Sequence, residues 1–338
     1  MPLLKAPSVD VFVESVSKNV IVLLQLPACT PMTQLTAQEV LSQIQAKQSL
    51  QQAELSGINL EKGCLNRGNF SEAYLRRAKL SFASCRETNF SGATLIMADL
   101  QSADLQQARL VNAILTHAHL EQANLGRSQA SGAKFYGAFL TGVISLEAVL
   151  DEADLREADG SGLQFDRASC VGTLFNRATF RQSSFESANL IRAQWQQAIL
   201  TDVSFVAANL EQAIFDGAQL KGSDLSRANG LNANFREADL TAATLFQAQF
   251  DWANFVEATL IGANFQQTSL FNTNLNAADL RQVDFTGANL QDASFENSQL
   301  ADTCFAGCNV RGTLFTGAVG LSEEQRRQLK HQGALNVE

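Results

Sequence analysis

Two histidines that lie two residues apart, His117 and His119, are the first candidates for binding chemistry in this sequence. Imidazole is the commonest metal ligand in proteins, and zinc sites combine three or four ligands at recognisable spacings. No cysteine or third histidine accompanies this pair at such a spacing. We therefore interpret both as surface residues and predict no metal, no cofactor and no catalytic residue.

A glycine-rich turn, Asp159-Gly-Ser-Gly162, is the second candidate. A phosphate-binding loop is followed by a helix, whose N-terminus attracts the anion, and it usually contains a lysine. This turn has neither feature. We interpret it as a relaxed corner of the chain.

A five-residue repeat organises the chain from Gln51 to Gly320 without a change of register. Every fifth residue from Leu55 to Phe315 is a centre, and 45 of the 53 centres are Leu or Phe. The position two residues earlier is Ala in 35 units, and the position between them is Asn or Asp in 21 units. Such regularity predicts one repeated structural unit.

Polarity alternates within each unit, with two apolar positions separated by a polar one and followed by two more polar positions. Successive side chains of an extended strand point to opposite faces, so the first three positions point in, out and in. The extra outward residue should turn the chain by the same angle at every fifth residue. Helical spacing of apolar residues is absent from this register. The pattern predicts an all-β solenoid, a polygonal coil with one interior.

The unit resembles that of the pentapeptide-repeat family, which is abundant in cyanobacteria, and the resemblance covers residues 51–320. It implies a right-handed quadrilateral β-helix with four units per coil, hence about 13 coils. Stacked at the ~4.7–4.9 Å spacing of paired strands, these coils would extend roughly 60 Å. Family members often close with a helical segment.

Short helical caps are predicted at both ends. Thr36-Ala-Gln-Glu39 is a capping box, which predicts a helix over about residues 36–47 in an N-terminal segment 1–50. Ser322-Glu-Glu-Gln325 is a second capping box, in a C-terminal segment 321–338. An open solenoid end is an unpaired edge, so we expect both helices to cover one.

The stretch from Val9 to Leu26 is rich in Val and Leu, but its apolar run is too short to span a membrane. Leu26-Pro-Ala-Cys29 resembles a lipoprotein cleavage site. Asp10 and Glu14 nevertheless precede the run, where a signal peptide is basic. We favour a cytoplasmic location over an exported or lumenal one.

The cysteines in the repeat support a reducing compartment. Cys85 and Cys170 are centres and Cys308 takes the small inward position, whereas Cys64 and Cys304 point outward. None is well placed to bridge another, so no disulfide framework is expected.

Irregularities concentrate between residues 130 and 170, where four of the eight centres that are neither Leu nor Phe occur. Leu163 also occupies an inward position that is usually small. Five apolar residues occupy outward positions: Tyr136, Phe139, Ile144, Leu146 and Val149. We expect one coil to be partly inside out here, so that it either bulges or presents an apolar patch.

Charge is uneven along the repeat. Residues 51–150 have a net charge of +1, with an early basic cluster, whereas residues 151–320 have a net charge of −10. The members of the cluster are Lys62, Arg67, Arg76, Arg77, Lys79 and Arg86. We interpret these charges mainly as a solvated surface.

One column of outward positions contains several large apolar residues. With four units per coil, residues twenty apart share a column. Ile191, Leu231 and Phe271 lie in this one, and Trp252 lies beside it. Scattered apolar surface residues are normal, but aromatic residues on successive coils are typical of the centre of a binding site. We predict that this face meets a protein partner or a second copy, as in a homodimer.

Non-enzymatic binding to a protein partner, whose identity the sequence leaves open, is therefore the predicted function. The resemblance implies an alternative, because some family members mimic duplex DNA and bind DNA gyrase, a topoisomerase. The acidic half permits this alternative, and the absence of a loop insertion counts against it. We predict no direct binding of nucleic acid and no membrane span.

Overall fold

The computed structural model describes residues 35–338; the predictions made for Val9 to Leu26 and for Cys29 lie outside the described residues. Helix α1 covers Ala37–Gln45 and helix α2 covers Glu323–His331. Two short strands lie between them, β1 at Asp159–Ser161 and β2 at Thr179–Arg181. Turns alternate with isolated parallel bridges over the rest of residues 51–320.

Pairing between residues twenty apart builds the coils. The outward residue before each centre forms a parallel bridge to its equivalent in the next coil, from Glu54 with Tyr74 to Gln299 with Val319. Strands β1 and β2 extend the same register to three residues, with Gly160 opposite Phe180. The prediction of four units per coil is therefore confirmed.

Each corner of the coil is a tight turn after a centre. The backbone N–H of Ala53 donates to the carbonyl of Leu50 at 3.1 Å, and the same bond recurs at later corners. The second turn residue has a positive φ, as at Gln52 with 58°. Such a conformation costs on the order of 1–3 kcal/mol for a residue other than glycine. Pairing between coils and the shared core must offset this strain.

The core consists of the centres and the small residues two positions before them. Leu100, Leu120 and Leu140 are buried, as are the other Leu and Phe centres, which confirms the in–out pattern. Inward Thr and Ser residues are also buried, and several donate their hydroxyl to a carbonyl of the preceding coil. Thr273 Oγ1 donates to the Phe250 carbonyl at 2.8 Å. Hydrogen bonds of this kind let a polar side chain replace Ala inside the coil.

Of the two alternatives expected for the irregular coil, the bulge is wrong, because pairing between residues twenty apart continues through residues 130–170. The unusual centres Ala130, Ser145, Gly160 and Cys170 all remain buried. Leu163 is buried too, and it compensates for a missing side chain. A Cβ added at Gly160 would lie 3.1 Å from Leu163 Cδ1, so the Leu side chain fills the space beside the glycine. A large residue next to a small one keeps the interior packed without a bulge.

Both helices begin with the capping boxes that the sequence predicts, at Thr36 and at Ser322. Val40 of α1 and Leu329 of α2 are buried in the same apolar core as the coil centres. Gln325 Nε2 also donates to the Thr303 carbonyl at 2.7 Å. No helix within residues 35–338 is long and apolar enough to cross a membrane.

Candidate protein-binding surface

Four apolar residues at one corner of the coils define what we call the corner surface: Ile191, Leu231, Trp252 and Phe271. Trp252 is 53% exposed, and the other three are half-buried. The rings of Trp252 and Phe271 meet edge to face, with centroids 5.7 Å apart. The structure thus brings the two aromatic residues together on adjacent coils, where they form an exposed pair.

Backbone pairing and one carboxylate hold this aromatic pair in place. The N–H of Trp252 donates to the carbonyl of Phe271 at 2.9 Å. Asp251 Oδ1 accepts hydrogen bonds from the Phe271 N–H at 2.9 Å and from the Ser269 hydroxyl at 2.5 Å. Because a carboxylate strengthens both bonds, they hold the backbone beneath Phe271 in place.

The same bracing recurs at other corners. Asp151 accepts from the Ser169 hydroxyl and from the Val171 N–H, and Asn276 accepts from the Ser294 hydroxyl and from the Glu296 N–H. Our sequence reasoning missed this arrangement. Its signal is an Asp or Asn directly after a centre with a Ser eighteen residues later.

The backbone of Trp252 is unusual for so large a residue. Its φ is +62°, in the left-handed region. Bulky residues rarely adopt this conformation, but the second turn residue has a positive φ throughout the repeat, so the strain at Trp252 comes from the fold of the coil. Phe82 is another aromatic residue at this turn position, with a φ of +57°. Both rings are held outward on a strained corner and not buried.

Amide side chains flank the corner surface. Asn229 donates from Nδ2 to Asn209 Oδ1 at 3.1 Å, and Asn229 Oδ1 accepts from the Leu231 N–H at 3.3 Å. An apolar centre bordered by polar groups that can form hydrogen bonds is the usual anatomy of a protein interface.

The five outward apolar residues of the irregular coil all lie at the surface. Phe139 is 39% exposed and stacks on His119, with centroids 4.7 Å apart, whereas Tyr136 meets the edge of His117 at 5.8 Å. Ile144, Leu146 and Val149 are half-buried and belong to later units around the coil.

Tyr136 borders a shallow cleft of about 570 Å³. Its hydroxyl donates to Glu157 at 2.5 Å, which raises the pKa of the phenol, and burial raises it further. Arg156 lies 6.0 Å from the ring and is paired with Asp154. The cleft is lined by Tyr136, Arg156, Glu157, Leu174, Asn176, Arg177, Gln194, Gln196 and Gln197. Most of its charged groups are satisfied by one another.

The two histidines contact different groups. His117 Nδ1 is 3.3 Å from the Gly137 carbonyl and His119 Nδ1 is 3.4 Å from Glu121. Within the part of the chain that the structure describes, no three His, Cys, Asp or Glu side chains are grouped to hold a metal ion. The interpretation of residues 159–162 as a relaxed corner is wrong for the first three, because Asp159–Ser161 forms strand β1 and only Gly162, with a φ of +64°, lies at the second turn position.

The cysteines among residues 35–338 are all free thiols. Burial raises the pKa of Cys85 and Cys170, and it raises the pKa of Cys308 to about 12. Thiols with such raised pKa values are poor nucleophiles at neutral pH.

The parallel ladder and the buried centres define a solenoid of 20-residue coils. The sequence pattern of pentapeptide repeats matches the chain eight times and covers residues 53–317 apart from residues 145 and 146. The chain therefore belongs to the pentapeptide repeat family, whose members fold as right-handed quadrilateral β-helices and are generally non-enzymatic.

Solved structures of the family are similar to this chain. HetL, which is involved in heterocyst differentiation regulation in the cyanobacterium Nostoc sp. Strain PCC 7120, is 25% identical over 71% of this chain and 85% of its own, with a TM-score of 0.29. A pentapeptide repeat protein of the Arabidopsis thaliana thylakoid lumen is 29% identical over 35% of this chain and 79% of its own, with a TM-score of 0.26.

Full-length QnrB1, a plasmid-mediated fluoroquinolone resistance protein, is 16% identical over 58% of this chain and 90% of its own, with a TM-score of 0.29. Scores of this size carry no information on function. Comparison with curated protein sequences gave no match.

Proposed function

We propose that this protein is a non-enzymatic scaffold that binds a protein partner through the corner surface. The observation that carries this proposal is the exposed, edge-to-face pair of Trp252 and Phe271 on a braced and strained corner. Such a site suits a protein partner because flat apolar side chains on a rigid backbone lose little conformational entropy on binding.

The energetics favour these two residues as the anchor of the interface. Trp is among the residues most enriched at positions that dominate binding energy, and each such position contributes about 2 kcal/mol or more. Leu231 extends the apolar area by one coil, and the amides of Asn209 and Asn229 supply polar contacts beside it.

The rest of the architecture supports the role of a scaffold that presents the corner surface to a partner. We propose that residues 51–320 form about 13 coils, and that α1 and α2 close the two ends of the stack, within segments 1–50 and 321–338. The burial of Val40 and Leu329 against the coil core supports this assignment. Free thiols support a reducing compartment such as the cytoplasm.

The test compares partner capture by the wild type with capture by the double variant Trp252→Ala and Phe271→Ala. Neither side chain belongs to the core, so the fold should persist and circular dichroism should be unchanged. Loss of two interface anchors should weaken binding of the captured partner by about a thousandfold.

Phe246→Ala is the matched control, because Phe246 follows a centre at another corner and is also half-buried. A partner that depends on the corner surface should be captured by the wild type and by this control but not by the double variant. If the double variant captures every partner as well as the wild type does, the proposal fails.

A second candidate is binding of a topoisomerase by mimicry of duplex DNA. It is supported by the net charge of −10 over residues 151–320, whose carboxylates include Asp154, Asp202, Asp224 and Asp251 on four different units. Inhibition of gyrase supercoiling that weakens as salt rises would support this candidate, since the attraction is electrostatic. An absence of inhibition at low ionic strength would exclude it.

A further inference from the structure

A second exposed surface lies in the first coils of the repeat. It is basic, whereas the later coils are acidic. Between residues 74 and 86, the outward positions are occupied by basic, aromatic and Ser residues. We call Tyr74, Arg76, Arg77, Lys79 and Phe82 the basic patch. Residues 61–86 as a whole contain six basic and two acidic side chains, a net charge of +4.

The cations at the centre of the basic patch lack carboxylate partners. Among residues 35–338, Arg76, Arg77 and Lys79 form no ion pair, in contrast to Arg67 and Arg86 nearby. Lys79 has Asp99 as its ladder neighbour in the next coil but forms no ion pair with it. For the two arginines the adjacent coils explain the lack of a partner, because Gly57 and Ile96 pair with the corner that holds them. Neither of these neighbours has a charge.

Large apolar groups lie among these cations. Tyr74 is 51% exposed and Phe82 is 57% exposed. Lys62 Nζ lies 5.9 Å from the centre of the Phe82 ring, and Arg77 Nη2 lies 4.0 Å from the sulfur of Met97. Arginine and exposed aromatic side chains together are typical of protein interfaces. Aromatic rings are less frequent on the rest of a protein's surface.

The later coils provide a complementary surface. Residues 201–302 contain thirteen acidic and four basic side chains, a net charge of −9. Within that range three carboxylates are ion-paired, those of Glu237, Glu257 and Asp279. The remaining ten form no ion pair with any residue from 35 to 338 and are distributed over all sides of the coil.

We propose that the basic patch binds residues 201–302 of a second copy of this chain. Two copies each with a net charge of −9 repel at long range, but the Debye length is only about 8 Å at physiological ionic strength. At contact distance, therefore, the local charges decide the interaction. This proposal does not depend on the corner surface, and either one can fail alone.

The positions of the two surfaces along the chain favour an antiparallel arrangement of the two copies. The basic patch lies in the coils next to α1, and the acidic coils lie towards α2. A parallel pair would place like charges together. An antiparallel pair related by a twofold axis forms the attractive contact twice, so it closes as a dimer.

Sedimentation velocity on the full-length protein tests the proposal. At about 50 mM salt the wild type should sediment as a dimer, and at about 500 mM salt it should dissociate, because screening weakens contacts between exposed charges. The double variant Arg76→Glu and Arg77→Glu should weaken the dimer by about tenfold or more. A wild type that stays monomeric at low salt would overturn the proposal.

Arg192→Glu with Arg227→Glu is the matched control. Both arginines lie at the second turn position, with φ of +57° and +59°, and the net charge changes by the same amount as in the basic-patch variant. Contact between the two surfaces predicts that this control dimerises at least as well as the wild type. Equal weakening by both pairs would show that total charge alone matters and would exclude the basic patch.

Zero-length carbodiimide cross-linking then locates the contact. The wild type is mixed as labelled and unlabelled copies, so that links between copies can be recognised by mass. Lys79 of one copy should be joined to a carboxylate between residues 201 and 302 of the other. Links from Lys79 that form exclusively within one copy, at a salt concentration where dimers sediment, would contradict the proposal.

Discussion

The two halves of the repeat share one backbone but have different interiors. Residues 51–150 have three Phe centres and fourteen Leu centres, whereas residues 151–320 have fourteen Phe centres, one Trp and again fourteen Leu. The ladder between residues twenty apart is the same in both halves. The coil therefore tolerates a large increase in aromatic centres as long as each centre remains buried.

Aromatic rings in the later half stack at the spacing of the coils. Trp195 lies between Phe175 and Phe215, with centroids 3.8 Å and 5.9 Å away, and the series continues to Phe235 at 4.6 Å. A second stack on the opposite side meets the first edge to face, as Phe205 does with Trp195 at 5.8 Å. Both geometries are favourable for aromatic pairs.

The repeat thus adapts its interior without changing its period. Flat rings can lie parallel at the distance that strand pairing imposes, so phenylalanine suits a stack of coils as well as leucine does. Extra volume is balanced by small centres: a Cβ at Gly230 would lie 2.1 Å from Phe250 Cε1. The exterior differs as well, since the later half is acidic and the earlier half is nearly neutral.

The largest effect on stability is expected when Phe235→Ala is compared with Leu115→Ala. The two residues are centres in the same column, one in each half of the repeat. The Phe variant should lower the free energy of unfolding by about 3–5 kcal/mol and the Leu variant by about 2–5 kcal/mol. Because Phe235 also contacts Phe215, Phe250 and Phe255, we expect the Phe variant to lose about 1 kcal/mol more.

Hydrogen exchange is the appropriate measurement, since in a solenoid each coil contacts its neighbours and the damage stays local. Protection should fall in the coils on either side of residue 235. Equal losses for the two variants would mean that ring stacking adds nothing to burial.

The next largest effect on stability is expected for Gly230→Ala. The added methyl group overlaps the Phe250 ring, so we expect a loss of about 1–3 kcal/mol in urea unfolding. Phe250→Leu in the same chain should recover most of that loss. The control is Gly262→Ala, where a Cβ meets nothing within 4 Å but φ is +68°, so only the backbone strain remains. If the second substitution rescues nothing, the volume balance between Gly230 and Phe250 is not the reason for the glycine.

Salt should change amide exchange differently in the two halves, because their surface charges differ. Raising the salt concentration to about 300 mM screens repulsion among unpaired carboxylates, so amide exchange should slow in residues 201–302. Exchange over residues 51–150 should change less, because basic and acidic groups are balanced there. A uniform response along the chain would show that the charge asymmetry has no effect on stability. The comparison is made at low protein concentration, so that self-association does not contribute.

The smallest effect is expected at Asp216. Burial raises the pKa of this carboxyl, and its Oδ1 has no hydrogen-bond partner among residues 35–338. The folded state therefore disfavours the ionised form. The stabilisation is complete below the pKa of the unfolded chain and is lost as the pH rises through the raised pKa of the folded protein.

Asp216→Asn should raise the free energy of unfolding at neutral pH by less than about 1 kcal/mol, because the group is partly exposed. The variant should also remove this part of the pH dependence. An Asn variant that is less stable than the wild type at neutral pH would contradict the assignment.

Several features of the fold could be predicted from the sequence because the repeat is local. The burial of Leu100 and its equivalents and the start of α1 at Thr36 follow from patterns within a few residues. The corner surface was partly predictable, since a period of twenty places Leu231 and Phe271 in one column. The contact between the Trp252 and Phe271 rings depends on side-chain directions at a strained turn, which the pattern does not specify.

The five-residue period by itself determined which side chains are buried, because every unit repeats the same alternation and the same turn. Which residues share a face depends on the four units per coil, which the family resemblance implied and the ladder between residues twenty apart shows. Packing between coils was decided by the tertiary structure. A side chain at Gly160 would meet the backbone of Leu140 and Thr141 and the side chain of Leu163. Asp251 fixes the backbone of Phe271 from the coil before it. These relations join residues three, twenty or more positions apart through volume and hydrogen bonding, which follow from the coordinates of neighbouring coils and not from the identity of one unit.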